Sequence, residues 1–234
     1  MRAFSFNKFC LSWRHIIITM ERHTLIMPHI CRWEGGLTNN PNDSASRNPC
    51  PVAYKGVSGY HTNMGITWTT WTSYCKAKGI TDVKTMAAKF YAMTKADQTD
   101  VFKVLYWDKV CAGDVKSLPV ANISAQWGWG SGPGGIVKGK PVGALICMND
   151  YAHQKGLAKT ALISNWKSAA VFINNMIEKE GERKVFDDMC EVRKAFFIRI
   201  SAPGSKNAVF QKGWLNRLKE FKTFNEPFFG KKEC

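Results

Sequence analysis

Two carboxylates stand close together in the stretch RWEGGLTNNPND: Glu34, directly before a Gly-Gly pair, and Asp43, nine positions later. A threonine, Thr62, follows further along. One carboxylic acid that stays protonated and one ionised carboxylate that positions a water or acts as nucleophile are what glycosidic bond cleavage needs. A glutamate at a helix end beside a cleft suits the first role, because partial desolvation favours the protonated form. Asp43 on the following loop suits the second, with the Thr62 hydroxyl helping to hold the water. Each has a plainer reading: Glu34 as a solvated acid near a helix end, Asp43 as a loop acid accepting backbone N–H groups, and Thr62 as a turn cap.

The elements that must position these groups are mainly helical. Residues 22–34 form a short helix leading into Glu34, with Pro28 kinking it or restarting it at a first-turn position, and Gly35 and Gly36 ending it. From 37 to 65 the chain is rich in Asn, Pro, Ser and Gly, a long loop with room for a hairpin around YKGVSGYHTNMG. Helical patterns follow at 67–78, 82–93 and 96–107, the last opened by TKAD in the manner of a capping box. The six glycines of QWGWGSGPGGIVKGK point to a turn or cleft wall instead of a helix. Beyond it, Leu162, Trp166, Ala170, Ile173 and Ile177 step along one helical face that stops at Gly181, and Phe210, Trp214, Leu218 and Phe221 form another stripe, with Trp214 read as core.

The aromatics divide between packing and binding. Tyr106 and Trp107 line sugar subsites on the functional reading and fill the core on the plain one. Trp127 and Trp129 alternate within the Gly-rich stretch, so that one faces a cleft and the other faces inward.

The chain has 234 residues, 45% of them hydrophobic, enough for one sizeable domain or two small lobes. Its formal charge of +15 favours a polyanionic partner: nucleic acid, an anionic membrane or cell-wall polymer. No nucleic-acid-binding motif accompanies the charge, and no stretch reaches the length of a membrane span, so neither nucleic acid nor stable membrane insertion is expected. Eight scattered cysteines, without C-x-x-C pairs or clustered histidines, read as free thiols in a reducing compartment, with four disulfides as the alternative. No metal or cofactor is implied. The first nineteen residues are either a basic leader without a clear signal-peptide cleavage site or a mis-assigned start, with Met20 as the true one.

Taken in order, WEGGLTNNPND, GYHTNMGIT, VLYWDKV, QWGWGSG and VFQKGWLNRL resemble the motifs of the glycoside hydrolase family 108 muramidases over roughly residues 22–221. The resemblance implies a lysozyme-like fold, mainly α with some β: a helical domain with a small loop and hairpin lobe carrying the active site. It also implies cleavage of the bond between N-acetylmuramic acid and N-acetylglucosamine in bacterial peptidoglycan, with Glu34 as the catalytic acid. Phage-type lysozymes, which the family resembles, place an aspartate nine residues after the glutamate and a threonine six beyond. Glu34 and Asp43 keep the first spacing, whereas about thirteen residues inserted after Asp43 displace Thr62 from the second.

Two further departures stand out. Gln126 occupies a position where the family often has Asp, and the stretch HQKGLAKTALISNWKSAA keeps little of the family's peptidoglycan-binding pattern. The expected organisation is a leader or mis-assigned start at 1–19, a catalytic region at 20–135, a helical C-terminal region at 136–222 resembling that binding segment, and a tail at 223–234. A monomeric phage lysis enzyme is expected, waiting in the host cytoplasm for a holin to open its way to the periplasm and wall. A bacterial wall-opening enzyme or a virion-borne one fits equally. The rival expectation is a non-catalytic wall-binding or secretion-assisting relative with an eroded site.

Overall fold

The computed structural model describes residues 21–230, so the expectations for the leader and for the last four residues of the tail lie outside the described residues. The protein is mainly α and lysozyme-like, with two small antiparallel hairpins. A 3₁₀ turn at Arg22–Ile26 passes into α1 (Met27–Arg32), which Pro28 opens from its first turn, where a missing N–H costs nothing. The long loop then runs to β1 (Thr62–Asn63), which pairs with β2 (Ile66–Thr67). Met64 and Gly65, at the tip, both have positive φ, 48° and 76°. That pairing is the two-residue type I′ turn whose twist matches the strands it joins, and it explains a glycine at the second position.

Three helices build the smaller lobe. Thr67 caps α2 (Trp68–Ala77), Asp82 caps α3 (Val83–Tyr91), and a complete capping box between Thr94 and Asp97 starts α4 (Lys95–Phe102). Ile66, Trp71, Phe90 and Val101 lie at the centre of this lobe's core. The residues inserted after Asp43 fold against it: Cys50 donates its N–H to Tyr60, and the Tyr54 ring stacks on Tyr91 of α3 with centroids 4.7 Å apart. After α4 the helix widens into one π turn, Lys103–Trp107, an irregularity frequent at functional sites.

The larger lobe surrounds α5 (Leu118–Ser131), whose residues from Leu118 to Gly128 are all buried. Here the structure corrects the sequence reading, since QWGWGS is helical despite its glycines. A helix enclosed by others stays folded through packing, which outweighs a glycine penalty of about 1 kcal/mol per residue. Gly128 lets α5 approach Val110, whose Cγ1 would lie 3.0 Å from an added Cβ. The helix ends at Gly132, and the rest of the Gly-rich stretch forms β3 (Gly135–Val137) and β4 (Lys140–Val142).

Against α5 pack α6 (Ala144–Gln154) and, after α7 (Trp166–Glu180), α8 (Glu182–Ile200), while α7 and α9 (Gln211–Asn225) pack on α8. Asn165 caps α7, so Leu162 precedes the helix and is 42% exposed, not part of its apolar face. Gly181, at φ 85°, turns the chain from α7 into α8. The larger core runs from Ile26 and Ile30 through α5 to Phe186 and Phe221, joining the N-terminal and C-terminal parts of the chain. Tyr106 and Trp129 are half-buried and pack against both cores, marking the seam between the lobes. Cys31, Cys50, Cys75, Cys111, Cys147 and Cys190 are all free thiols, as expected. Among the described residues no helix is long and apolar enough to cross a membrane.

Candidate active site

Glu34 follows α1 at that seam, with its side chain 16% exposed. Three elements close on its carboxylate. From α5, Trp129 donates its indole N–H to Oε1 at 3.0 Å. From α9, Arg217 brings Nη1 to 3.6 Å from the same oxygen while its guanidinium lies 5.3 Å from the centre of the Trp33 ring. From the first hairpin, the Gly65 turn lies so close that a Cβ there would stand 2.2 Å from Oε2. The two carboxylate oxygens are therefore unequal: Oε1 accepts from Trp129, and Oε2 faces the turn.

The sequence places these groups by simple rules. Residues two apart on an α-helix point to nearly opposite sides, so Trp127 is fully buried in the larger core while Trp129 emerges at the seam. Tyr106, on the π turn, meets the Trp129 ring edge-on at 4.9 Å. Burial, opposed by a hydrogen bond with Thr70 and aided by the Glu34 charge, pushes its phenol above the usual range, so the hydroxyl keeps its proton.

Buried Gln98 of α4 links the two segments that flank Glu34. Its Nε2 donates to the Met64 carbonyl at 2.8 Å, and its Oε1 accepts from the Cys31 thiol at 3.0 Å. Burial raises the Cys31 thiol above its ordinary range, which keeps it a donor. One side chain thus fixes the hairpin tip relative to the end of α1.

Thr62 begins this hairpin. Its carbonyl accepts from Thr38 N–H at 2.9 Å, and its hydroxyl lies 3.0 Å from Nδ1 of His61, a fully buried imidazole whose Nε2 is 3.0 Å from the Asn40 carbonyl. The loop that leads to Asp43 is therefore held to β1 by Thr38, Asn40 and His61. Asp43 itself is exposed and accepts the Ala45 N–H through Oδ1 at 2.9 Å, capping the 3₁₀ turn Ser44–Arg47. That bond is the loop-ordering role foreseen as its plainer reading, and it leaves Oδ2 outside the cap.

Of the aromatic residues expected to bind sugar, Tyr106 and Trp129 are half-buried at the seam beside Glu34. Trp107 and Trp127 are corrected to core residues, 4% and 0% exposed, with no face open to a ligand. Trp214 stacks on Phe197 at 5.2 Å along the flank of the larger core. Sequence reasoning missed the parts played by Gly65, Gln98, His61 and Arg217. Gly65, His61 and Arg217 each lie in a quoted motif, and Gln98 in none, but the contacts of His61, Gln98 and Arg217 reach residues 21 to 183 positions away in sequence.

Comparison with known proteins bears on this arrangement. The family model described as Glycosyl hydrolase 108 matches residues 27–132. Among solved structures, the chain is similar to one titled "Structure of Brucella abortus SagA", with 22% identity, a TM-score of 0.58, and coverage of 91% of this chain and 98% of that one. At that identity the likeness shows the fold. No curated protein matches the chain. From α1 to the end of α5, with Glu34, Gln98 and Trp129 among its residues, the chain is similar to the family described as Glycosyl hydrolase 108.

Proposed function

We propose that the protein is a peptidoglycan hydrolase cleaving the glycan strand between N-acetylmuramic acid and N-acetylglucosamine, with Glu34 as general acid. The observation that carries this reading is the carboxylate at the lobe seam. Its Oε1 accepts from the Trp129 indole, which leaves Oε2 as the oxygen to carry the transferable proton. In the reaction Oε2–H protonates the glycosidic oxygen as the C1–O bond breaks and its electron pair passes to the leaving sugar. Asp43, with Thr62, orients the attacking water through the hairpin and loop that His61 ties together. A water between the two carboxyls requires a separation of about 6.5 to 9.5 Å and inverts the anomer, whereas about 5 to 5.5 Å gives retention through a covalent intermediate. Tyr106 and Trp129 offer aromatic surface beside the acid to pyranose rings. The +15 charge draws the enzyme to an anionic envelope.

The test is digestion of purified peptidoglycan by the wild type and by Glu34→Gln, with products reduced and identified by mass spectrometry. Reducing muramic-acid ends from the wild type alone support the reading, and proton NMR of the first product gives the anomer. A second reading, a non-catalytic wall-binding relative, draws on Arg217, a cation 3.6 Å from the supposed acid. Sedimentation of both proteins with the wall and digestion by neither would favour it.

The biological setting we infer is phage-mediated host lysis, with the enzyme held in the cytoplasm until a holin admits it to the wall. Expression inside a bacterium should leave the cells intact until the inner membrane is permeabilised. Lysis without permeabilisation would remove the need for a holin.

A further inference from the structure

Behind Trp129 and Arg217, between α5, α8 and α9, lies a cavity of about 110 Å³. Arg193 of α8 lines it and is 0% exposed. Its Nη1 donates to Ser131 Oγ at 2.9 Å and lies 3.7 Å from the Cys147 sulfur, while Phe196 and Phe197 lie 5.2 and 4.5 Å from the guanidinium. Nε and Nη2 have no partner, and no carboxylate among the described residues pairs with this cation. These two nitrogens form the side-on edge of the guanidinium, the fork that matches a carboxylate through two parallel bonds. Gly130 makes room for it, since a Cβ there would lie 2.7 Å from Nη2.

The rest of the wall has the same deficit. Trp33 Nε1 and Arg217 Nε are buried donors without partners, and both residues line the cavity. Gln126 Oε1 is an unpartnered acceptor in the same wall, which a carboxylate does not satisfy but a neighbouring hydroxyl on the ligand, as in lactate, can. Water can satisfy orphaned hydrogen bonds, but it does not neutralise a buried guanidinium. A carboxylate does both. The outer residues Trp33, Trp214 and Arg217 are only half-buried, so the cavity is approached from the surface on the side where Arg217 meets Glu34.

We propose that this cavity is a carboxylate-binding site, in which a group of about the size of lactate accepts from the Nε and Nη2 edge of Arg193 and is shielded by Trp33 and Arg217. Two sources share that chemistry: an acidic substituent of the wall polymer, which rests on the proposed function, and a free small carboxylate, which does not. The position next to Glu34 makes the site a means of registering an acidic substrate relative to the acid.

The experiment follows thermal unfolding and titration calorimetry of the full chain with sodium acetate, D-lactate and N-acetylmuramic acid, against sodium chloride at matched ionic strength and against neutral lactamide. A saturable rise of a few degrees with the carboxylates alone is expected. Binding of N-acetylmuramic acid at least tenfold tighter than acetate assigns the carboxylate to the sugar, and equal binding assigns it to a free acid. Identical curves for carboxylates and chloride overturn the proposal. Gln126→Glu, close in shape, supplies an internal counter-charge, and it should unfold at a higher temperature than the wild type and no longer respond to acetate. A lower midpoint with an undiminished response to acetate would overturn the proposal as well. Because binding is read without turnover, Glu34→Gln retains the response even if the protein hydrolyses nothing.

Discussion

Gly65 is the residue on which the candidate acid is most directly poised. Its φ of 76° is costly for a side chain, and a Cβ there would stand 2.2 Å from Glu34 Oε2. Gly65→Ala should therefore cost about 1–2 kcal/mol of stability and displace the carboxylate, and misplacement of a reacting group by about 1 Å can cost on the order of 100-fold in rate. Turnover on purified peptidoglycan, beside a melting curve, separates the two effects, and an alanine variant with wild-type turnover would show that Oε2 does not act where the structure places it. Glu34 was legible in the sequence because W-E-G-G ends a helix at a motif, and the turn glycine was legible in T-N-M-G-I-T. Arg217 stands in the motif VFQKGWLNRL, but its contact with Glu34 was not legible, because only the packing of α9 against the seam brings it within 3.6 Å of a residue 183 positions away.

At the scale of elements, buried Gln98 couples α4, α1 and the hairpin. Gln98→Leu keeps the approximate volume but leaves the Met64 carbonyl and the Cys31 thiol unpaired, at about 1–3 kcal/mol for each buried group stranded. Turnover should fall more than substrate affinity, because the acid's placement is lost while the sugar-facing surface remains, and Gln98→Glu should restore part of it only under acidic conditions, where its carboxyl can donate to Met64. A loss confined to KM would argue against a positioning role.

The contact of α1 with α9 carries a second consequence. His29 packs against Phe221 and Phe224, and burial first, then Arg217 and Arg32, lower its pKa from 6.5 to about 4. Between those values the unfolded chain binds a proton that the folded chain does not, so stability falls as the pH drops from 6.5 towards 4, by up to about 3 kcal/mol. His29→Leu should flatten denaturant midpoints across that window, and an unchanged pH dependence would place the titration elsewhere. The helices following the first hairpin were readable from their caps and periodicity, as Thr94 and Asp97 show. The end of α5 was not, because glycine counts describe local preference and the helix is held by neighbours that a linear pattern does not reveal.

Across the whole molecule the lysines and arginines outnumber the acids 33 to 18, and the excess acts as a diffuse field. Activity on whole wall should decline as ionic strength rises, because the screening length shrinks from about 30 Å at 0.01 M to about 8 Å at 0.15 M. Small soluble oligosaccharides lacking anionic groups should be cleaved at nearly constant rate over the same range, and an equal decline on both would assign the salt effect to the site and not to encounter. The two-lobed, mainly helical architecture was legible from the ordered motifs, whereas the continuity of the larger core from Ile26 to Phe221 was not, since distant helices share it.

That continuity bears on when the acid's surroundings are complete. The family match ends at residue 132, yet the cation beside Glu34 comes from α9, Gln211–Asn225. During synthesis at about 5–20 residues per second, N-terminal parts of a chain begin folding while the rest is still being made. A nascent chain can therefore assemble α1 and the hairpin, and α5 once its neighbours α6 and α8 are made, before Arg217 leaves the ribosome. The carboxylate environment seen here is a property of the finished polypeptide, and a prematurely terminated chain would carry every family motif through QWGWGSG without it.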